Sequence, residues 1–157
     1  MQTNSHSVKE TLGLGKLIAR QLEAGDIICL QGELGVGKTA LAKGIACGLG
    51  INSREVSSPS FILIRQHLEG RLPLYHFDFY RLKGAGEIPI LGYEEYLFGE
   101  GVSVIEWAER LDYLMPKECL VVELSYAGAN KRKMKFSAVG ARYKELLSKL
   151  KQESRTF

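Results

Sequence analysis

The sequence has no run of about 18 apolar residues, so it predicts no membrane-spanning helix. Its first residues, MQTNSHSVKET, hold no apolar stretch of the kind a secretory leader needs. The cytoplasm is therefore the expected location. Cysteine is scarce. Cys29, Cys47 and Cys119 are an odd number, each in an apolar context and none close to another in sequence. That argues against a disulfide framework and against a zinc site, and it predicts buried free thiols in a reducing compartment. Internal repeats and low-complexity segments are also missing.

What is present fits one soluble domain over residues 1–157, with 45% hydrophobic and 25% charged residues. The net charge of +3 is unevenly spread. Residues 1–130 carry 12 Lys/Arg against 16 Asp/Glu, whereas residues 131–157 carry 9 against 2. A basic tail of this kind is either a solvated helix face or a surface for nucleic acid or an acidic partner.

Hydrophobic spacing predicts a helix over 7–23, with Ser7 as N-cap and Glu10 completing a capping box. Gly13 and Gly15 weaken that helix. Ile27-Ile28-Cys29-Leu30 is a fully apolar strand, suited to burial on both faces of a parallel sheet. A second helix spans 39–49 and ends at Gly50. The runs 61–64 and 72–80, with a turn at 69–71, predict an antiparallel hairpin. A helix over 87–98 follows, packing through Leu91, Tyr93, Tyr96 and Leu97. A strand at 102–105 precedes a short helix at 107–114, stopped by Pro116. Strands at 120–124 and 133–139 turn at 127–130. A basic terminal helix covers 141–151, and residues 152–157 are expected to fray. The order predicts a single α/β domain with a mixed, mostly parallel sheet, antiparallel hairpins and flanking helices.

Between the first strand and its helix lies Gly32-Glu33-Leu34-Gly35-Val36-Gly37-Lys38-Thr39. This meets the spacing G-x-x-x-x-G-K-[ST] in the strand–loop–helix context that its chemistry needs. Gly35 and Gly37 free the backbone to turn its amides inward as an anion nest. The following helix adds the partial positive charge of its N-terminus. Lys38 supplies a point charge for β- and γ-phosphates, and the Thr39 hydroxyl is a hard oxygen ligand suited to Mg²⁺. No Asn-Lys-x-Asp guanine reader is present, so ATP is the expected nucleotide.

A phosphate loop of this type needs a carboxylate at the end of a neighbouring strand to order the metal. Asp78, Glu106 and Glu123 all end strand-like runs. Glu106 follows a short apolar strand and precedes a helix, which places it at the ligand-binding edge of an open sheet. Glu123 sits within a meander, as a surface or edge residue. His76, Asp78 and Tyr80 share one strand face. Pattern leaves two readings for them: a polar cluster that orients water or metal, or a hairpin surface ladder.

Together, Gly32–Thr39, Ser58-Pro59-Ser60-Phe61, Tyr75-His76-Phe77-Asp78-Phe79-Tyr80-Arg81, Gly92-Tyr93-Glu94-Glu95-Tyr96 and Ile105-Glu106-Trp107 resemble the bacterial TsaE family. The resemblance runs in order over residues 7 to about 150. It implies a small P-loop ATPase needed for threonylcarbamoyladenosine next to the anticodon of tRNA, working with TsaD- and TsaB-like partners. It implies that Leu34, Gly35, Val36, Gly37, Lys38 and Thr39 hold the nucleotide phosphates. Thr39 and Glu106 would hold Mg²⁺, and Lys38, Asp78 and Glu106 would carry catalysis. Ser58 to Ser60 would act as a switch segment, with Ser60 standing where the family most often has Thr, and Trp107 would pack by the nucleotide. Contact of tRNA with Lys131, Arg132, Lys133 and Lys135 is left open. Two other functions share the same loop chemistry: a small-molecule kinase, and a nucleotide-gated binding module with negligible hydrolysis.

Overall fold

A computed structural model describes residues 1–154, apart from the side chain of Leu91, so that residue's expected packing lies outside the described residues. Seven strands form one sheet: β1 (Gln2–Ser5), β2 (Ile27–Gln31), β3 (Ile64–His67), β4 (Leu74–Asp78), β5 (Val102–Glu106), β6 (Cys119–Tyr126) and β7 (Arg132–Val139). Their spatial order is β1-β7-β6-β2-β5-β4-β3. The four central strands β6, β2, β5 and β4 run parallel, and β3, β7 and β1 add antiparallel edges. This is the mixed sheet with hairpins that the sequence predicts. β1 was not anticipated, because four mostly polar residues carry no strand signal. It is held by pairing with β7 and by the Ser5 hydroxyl, 2.8 Å from that of Thr11.

The apolar run of β2 explains its central place, since its residues alternate between two cores. Ile28 and Leu30 join α1 (Val8–Arg20), α2 (Lys38–Gly48) and α4 (Ala141–Ser154) on one side. Ile27 and Cys29 join Phe77, Ile105 and α3 (Tyr93–Leu97) on the other. Each fully buried Leu or Ile there contributes about 1.5–3 kcal/mol. The thiols stay free, as expected, but Cys47 is only half-buried. Cys29 lies against Cys119, which with burial pushes the Cys29 thiol up.

Several boundaries move for identifiable reasons. Ser7 caps α1 through its Oγ and the Glu10 N–H at 3.1 Å. The Glu10 carboxylate, however, accepts from the His6 N–H at 2.8 Å rather than from Ser7. The helix expected over 87–98 is broken into two 3-10 turns and the short α3. Pro89 starts the second turn, and Gly92 at φ 62° ends it. Where a helix was expected over 107–114, Ala108–Leu114 is 3-10 rather than α, interrupted at Asp112 with φ 45°, and Trp107 lies outside it. Phe61 to Leu63 are not part of β3, because the Ile62 and Leu63 amides both turn back to the Pro59 carbonyl; only the Leu63 carbonyl reaches β4, accepting the Asp78 N–H at 2.9 Å. α4 continues to Ser154, so 152–154 are helical rather than frayed; 155–157 lie outside the described residues.

Candidate functional site

The parallel strands β2, β4 and β5 end at one edge of the sheet, and their register fixes what meets there. Leu30 and Asp78 both lie opposite Glu106. The phosphate loop leaves β2 at that edge and runs into α2. Gly32, Gly35 and Gly37 take φ values of 139°, 76° and 117°, which side-chain-bearing residues rarely adopt. A Cβ on Gly32 would also collide with the Leu124 carbonyl.

Lys38 is buried and folds back over its own loop. Its Nζ donates to the carbonyls of Gly32 at 2.5 Å and Glu33 at 2.8 Å. The same ammonium lies 4.1 Å from the centroid of the Trp107 ring. Burial lowers its pKa, and the charges of Glu109, Glu106, Asp78 and Glu33 act against that. Trp107 adopts φ 58° directly after β5 and packs against Tyr80, ring centroids 5.0 Å apart.

Thr39 and Glu106 meet at the mouth of the loop: Thr39 Oγ1 donates to Glu106 Oε2 at 2.9 Å. Asp78 accepts from the Ser58 hydroxyl and from the Tyr80 N–H at 2.9 Å. His76, fully buried, lies 2.7 Å from Glu106 through Nε2. The cluster His76, Asp78 and Tyr80 is thus divided. The imidazole serves Glu106, the carboxylate holds Ser58, and the phenol ring faces Trp107. The surface-ladder reading of Asp78 fails, because the side chain is 2% exposed. Glu123 is exposed on β6 and pairs with Lys135 at 3.5 Å, away from this group.

Leu34, Gly35, Gly37, Lys38, Thr39, Ser58, Ser60, Asp78, Tyr80, Glu106 and Trp107 line a cavity of about 400 Å³. A second cavity of similar size adjoins it across Gly35 and Gly37, bounded by His6, Thr11, Val36, Asn130 and Arg132. Another cavity, about 770 Å³, lies at the other end of β2 and shares no residue with the loop.

Two braces of the loop were not read from the sequence. The Tyr126 hydroxyl donates to the Leu34 carbonyl at 3.0 Å, and Arg132 Nε donates to the Val36 carbonyl at 2.9 Å. Nothing local signals this; it requires knowing that the β6–β7 hairpin lies beside β2.

The residues fit a nucleotide and Mg²⁺. The loop combines inward-turning glycines with a buried ammonium that holds only neutral carbonyls. Among the described residues no three His, Cys, Asp or Glu side chains gather to hold a metal alone. Mg²⁺ needs no such cage: it binds through one or two protein oxygens, keeping waters and phosphate oxygens as its other ligands. Thr39 Oγ1 and a Glu106 oxygen can supply that pair.

A buried strand, a glycine-rich loop and a helix, with a carboxylate at the end of the adjacent parallel strand, define a P-loop NTPase-like domain. The TsaE family model, described as threonylcarbamoyl adenosine biosynthesis protein TsaE, matches residues 5–134. The chain is 43% identical over 142 residues to the Bacillus subtilis (strain 168) protein named tRNA threonylcarbamoyladenosine biosynthesis protein TsaE, covering 90% of this chain and 88% of that one. It is 41% identical to the protein of that name from Treponema pallidum, covering 79% and 90%. A crystal structure of Bacillus subtilis YdiB superposes with a TM-score of 0.86 at 38% identity, covering 98% and 95%. The chain belongs to the TsaE family. No helix among the described residues is long and apolar enough to cross a membrane.

Proposed function

We propose that this chain is a weak Mg²⁺-dependent ATPase serving the threonylcarbamoyladenosine modification of tRNA next to the anticodon, in the cytoplasm, together with TsaD- and TsaB-like proteins. The unit that carries the activity is the single domain 1–157. The observation that carries the reading is the Thr39–Glu106 hydrogen bond at the mouth of the loop. It joins the start of α2 to the end of β5, where a metal must sit to serve a phosphate held by the loop.

In this reading the amides of Leu34 to Thr39 and the Lys38 ammonium bind the phosphates. Lys38 exchanges its two carbonyl partners for phosphate oxygens. Bound Mg²⁺ would offset charge on those oxygens. Thr39 and Glu106 would hold that ion, and Asp78 would orient the attacking water. The cavity beyond Gly35 and Gly37 would take the nucleoside half. Hydrolysis by the chain alone is slow, because among the described residues no arginine lines the phosphate cavity. Arg81 lies over Phe61 at 3.9 Å, outside that lining.

The test is phosphate release from ATP by the full chain, with Mg²⁺ and with EDTA, alone and with the two partner proteins. Slow Mg²⁺-dependent release that changes in the presence of the partners is expected. Phosphate transfer to a small acceptor, in place of release, would overturn the reading in favour of a kinase.

A further inference from the structure

Asp78 and Glu106 stand opposite each other in register, and each is 2% exposed. Buried carboxylates so placed repel, and each needs its own hydrogen-bond donors to be held in place. Asp78 has the Ser58 hydroxyl and the Tyr80 N–H. Glu106 has Thr39 Oγ1 on one oxygen and His76 Nε2 on the other.

The two donors to Glu106 are not equivalent. The Thr39 hydroxyl is itself a candidate metal ligand, so a bound ion would compete for it. His76 comes from the middle of β4 and is completely buried. Its other nitrogen, Nδ1, is buried without a hydrogen-bond partner. A carboxylate only accepts, so the proton of the contact belongs to Nε2. The ring is therefore a one-sided donor aimed at Glu106 Oε1.

We propose that His76 is a positioning residue that fixes the Glu106 carboxylate for Mg²⁺ and acts on the metal only through Glu106. This rests on the Mg²⁺–nucleotide reading of the site. Partners of this kind orient a ligating group and set its affinity for the metal. Without the imidazole, Glu106 Oε1 loses its buried donor beside a second carboxylate, and the side chain is free to leave the metal-binding orientation.

Trp107, the sole tryptophan of the sequence, touches Lys38 and Tyr80, so its fluorescence reports occupancy of the site. The full chain is titrated with the β,γ-imido analogue of ATP in EDTA, and then with Mg²⁺ at fixed analogue. His76→Leu is expected to raise the Mg²⁺ concentration at half-saturation on the order of 10- to 100-fold. Its affinity for the metal-free analogue should stay at the parental value. His76→Gln, whose amide nitrogen reaches about where Nε2 lies, should recover most of the Mg²⁺ response. Glu106→Gln is the reference for loss of that response.

A parental Mg²⁺ response in His76→Leu, with the response lost in Glu106→Gln, overturns the inference and leaves the metal site standing. Equal weakening of His76→Leu in EDTA and in Mg²⁺ also overturns it, because the imidazole is then only packing. A parental protein that shows no Mg²⁺ response overturns the metal site and the inference together.

Discussion

At the scale of single residues, the site concentrates charge that other proteins expose. Lys38 is 4% exposed and is held by two carbonyls of its own loop, under an aromatic ring. Such an ammonium is kept for a partner of opposite charge, because burying it is costly. Lys38→Ala should therefore abolish nucleotide binding or turnover, measured by Trp107 fluorescence and by phosphate release. Normal turnover in that variant would remove the loop from the mechanism. The carboxylates give a second contrast. Glu106 is buried with two donors, while Glu123 forms a surface pair with Lys135, of a kind worth about 0–1 kcal/mol. Glu106→Ala should lose far more Mg²⁺-dependent activity than Glu123→Ala; equal losses would mean that the end of β5 does not carry the metal site. The loop and Glu106 were legible as candidates because the glycine spacing follows one apolar strand and the carboxylate ends another, just before a helix. What stayed illegible was the pairing of side chains. His76 and Asp78 look alike on one strand face, yet they hold different partners, since that depends on β5 and on the segment around Ser58.

At the scale of elements, the glycines that weaken α1 in the sequence have opposite roles in the fold. Gly15 lies against α2 so closely that a Cβ would sit 2.6 Å from the Leu41 carbonyl oxygen and 2.7 Å from the Gly44 Cα. Those are backbone atoms and cannot swing aside. Gly13 would place a Cβ in open space. Gly15→Ala should destabilise the protein by about 1–3 kcal/mol through overpacking. Gly13→Ala should stabilise it by about 0.4–1 kcal/mol by removing backbone freedom from the unfolded chain. Thermal or urea melts of the two variants check both signs, and a shared sign would contradict the close α1–α2 packing. Propensity scores both glycines as the same fault. Only the facing helix separates them, so the helix was readable and the reason for its glycines was not. The same limit explains the broken helix after residue 84, where Pro89 and Gly92 outweigh an apolar spacing that suits a continuous helix.

For the whole molecule, two arginines of the basic segment are drawn to opposite ends of the sheet. Arg132 braces the phosphate loop at one end of the sheet, and Arg142 is consumed at the other. There its guanidinium donates to the Gln21 carbonyl at 2.6 Å and to Asp26 at 2.7 Å and 3.1 Å, and Asp26 raises its pKa. The next residue, Tyr143, is 3% exposed, and its hydroxyl oxygen accepts the Ile27 N–H at 2.7 Å. α4 thereby closes the base of β2, the strand whose far end carries the loop. Burial pushes the Tyr143 phenol up from 10.0 to about 12, against the opposing effect of the Ile27 amide. A phenol whose folded-state pKa is raised adds stability that is whole below pH 10 and is lost as pH rises toward 12. The expected loss over that window is about 1–3 kcal/mol. Tyr143→Phe separates this term from the other groups that titrate there. At neutral pH it should cost about 1–3 kcal/mol, because the Ile27 N–H loses its acceptor. Between pH 10 and 12 its stability should fall less steeply than that of the parent, as read from urea melts across that range. Parallel pH curves for the two proteins would show that Tyr143 does not carry the alkaline loss, and that the clamp at the base of β2 works through Arg142 and Asp26 alone.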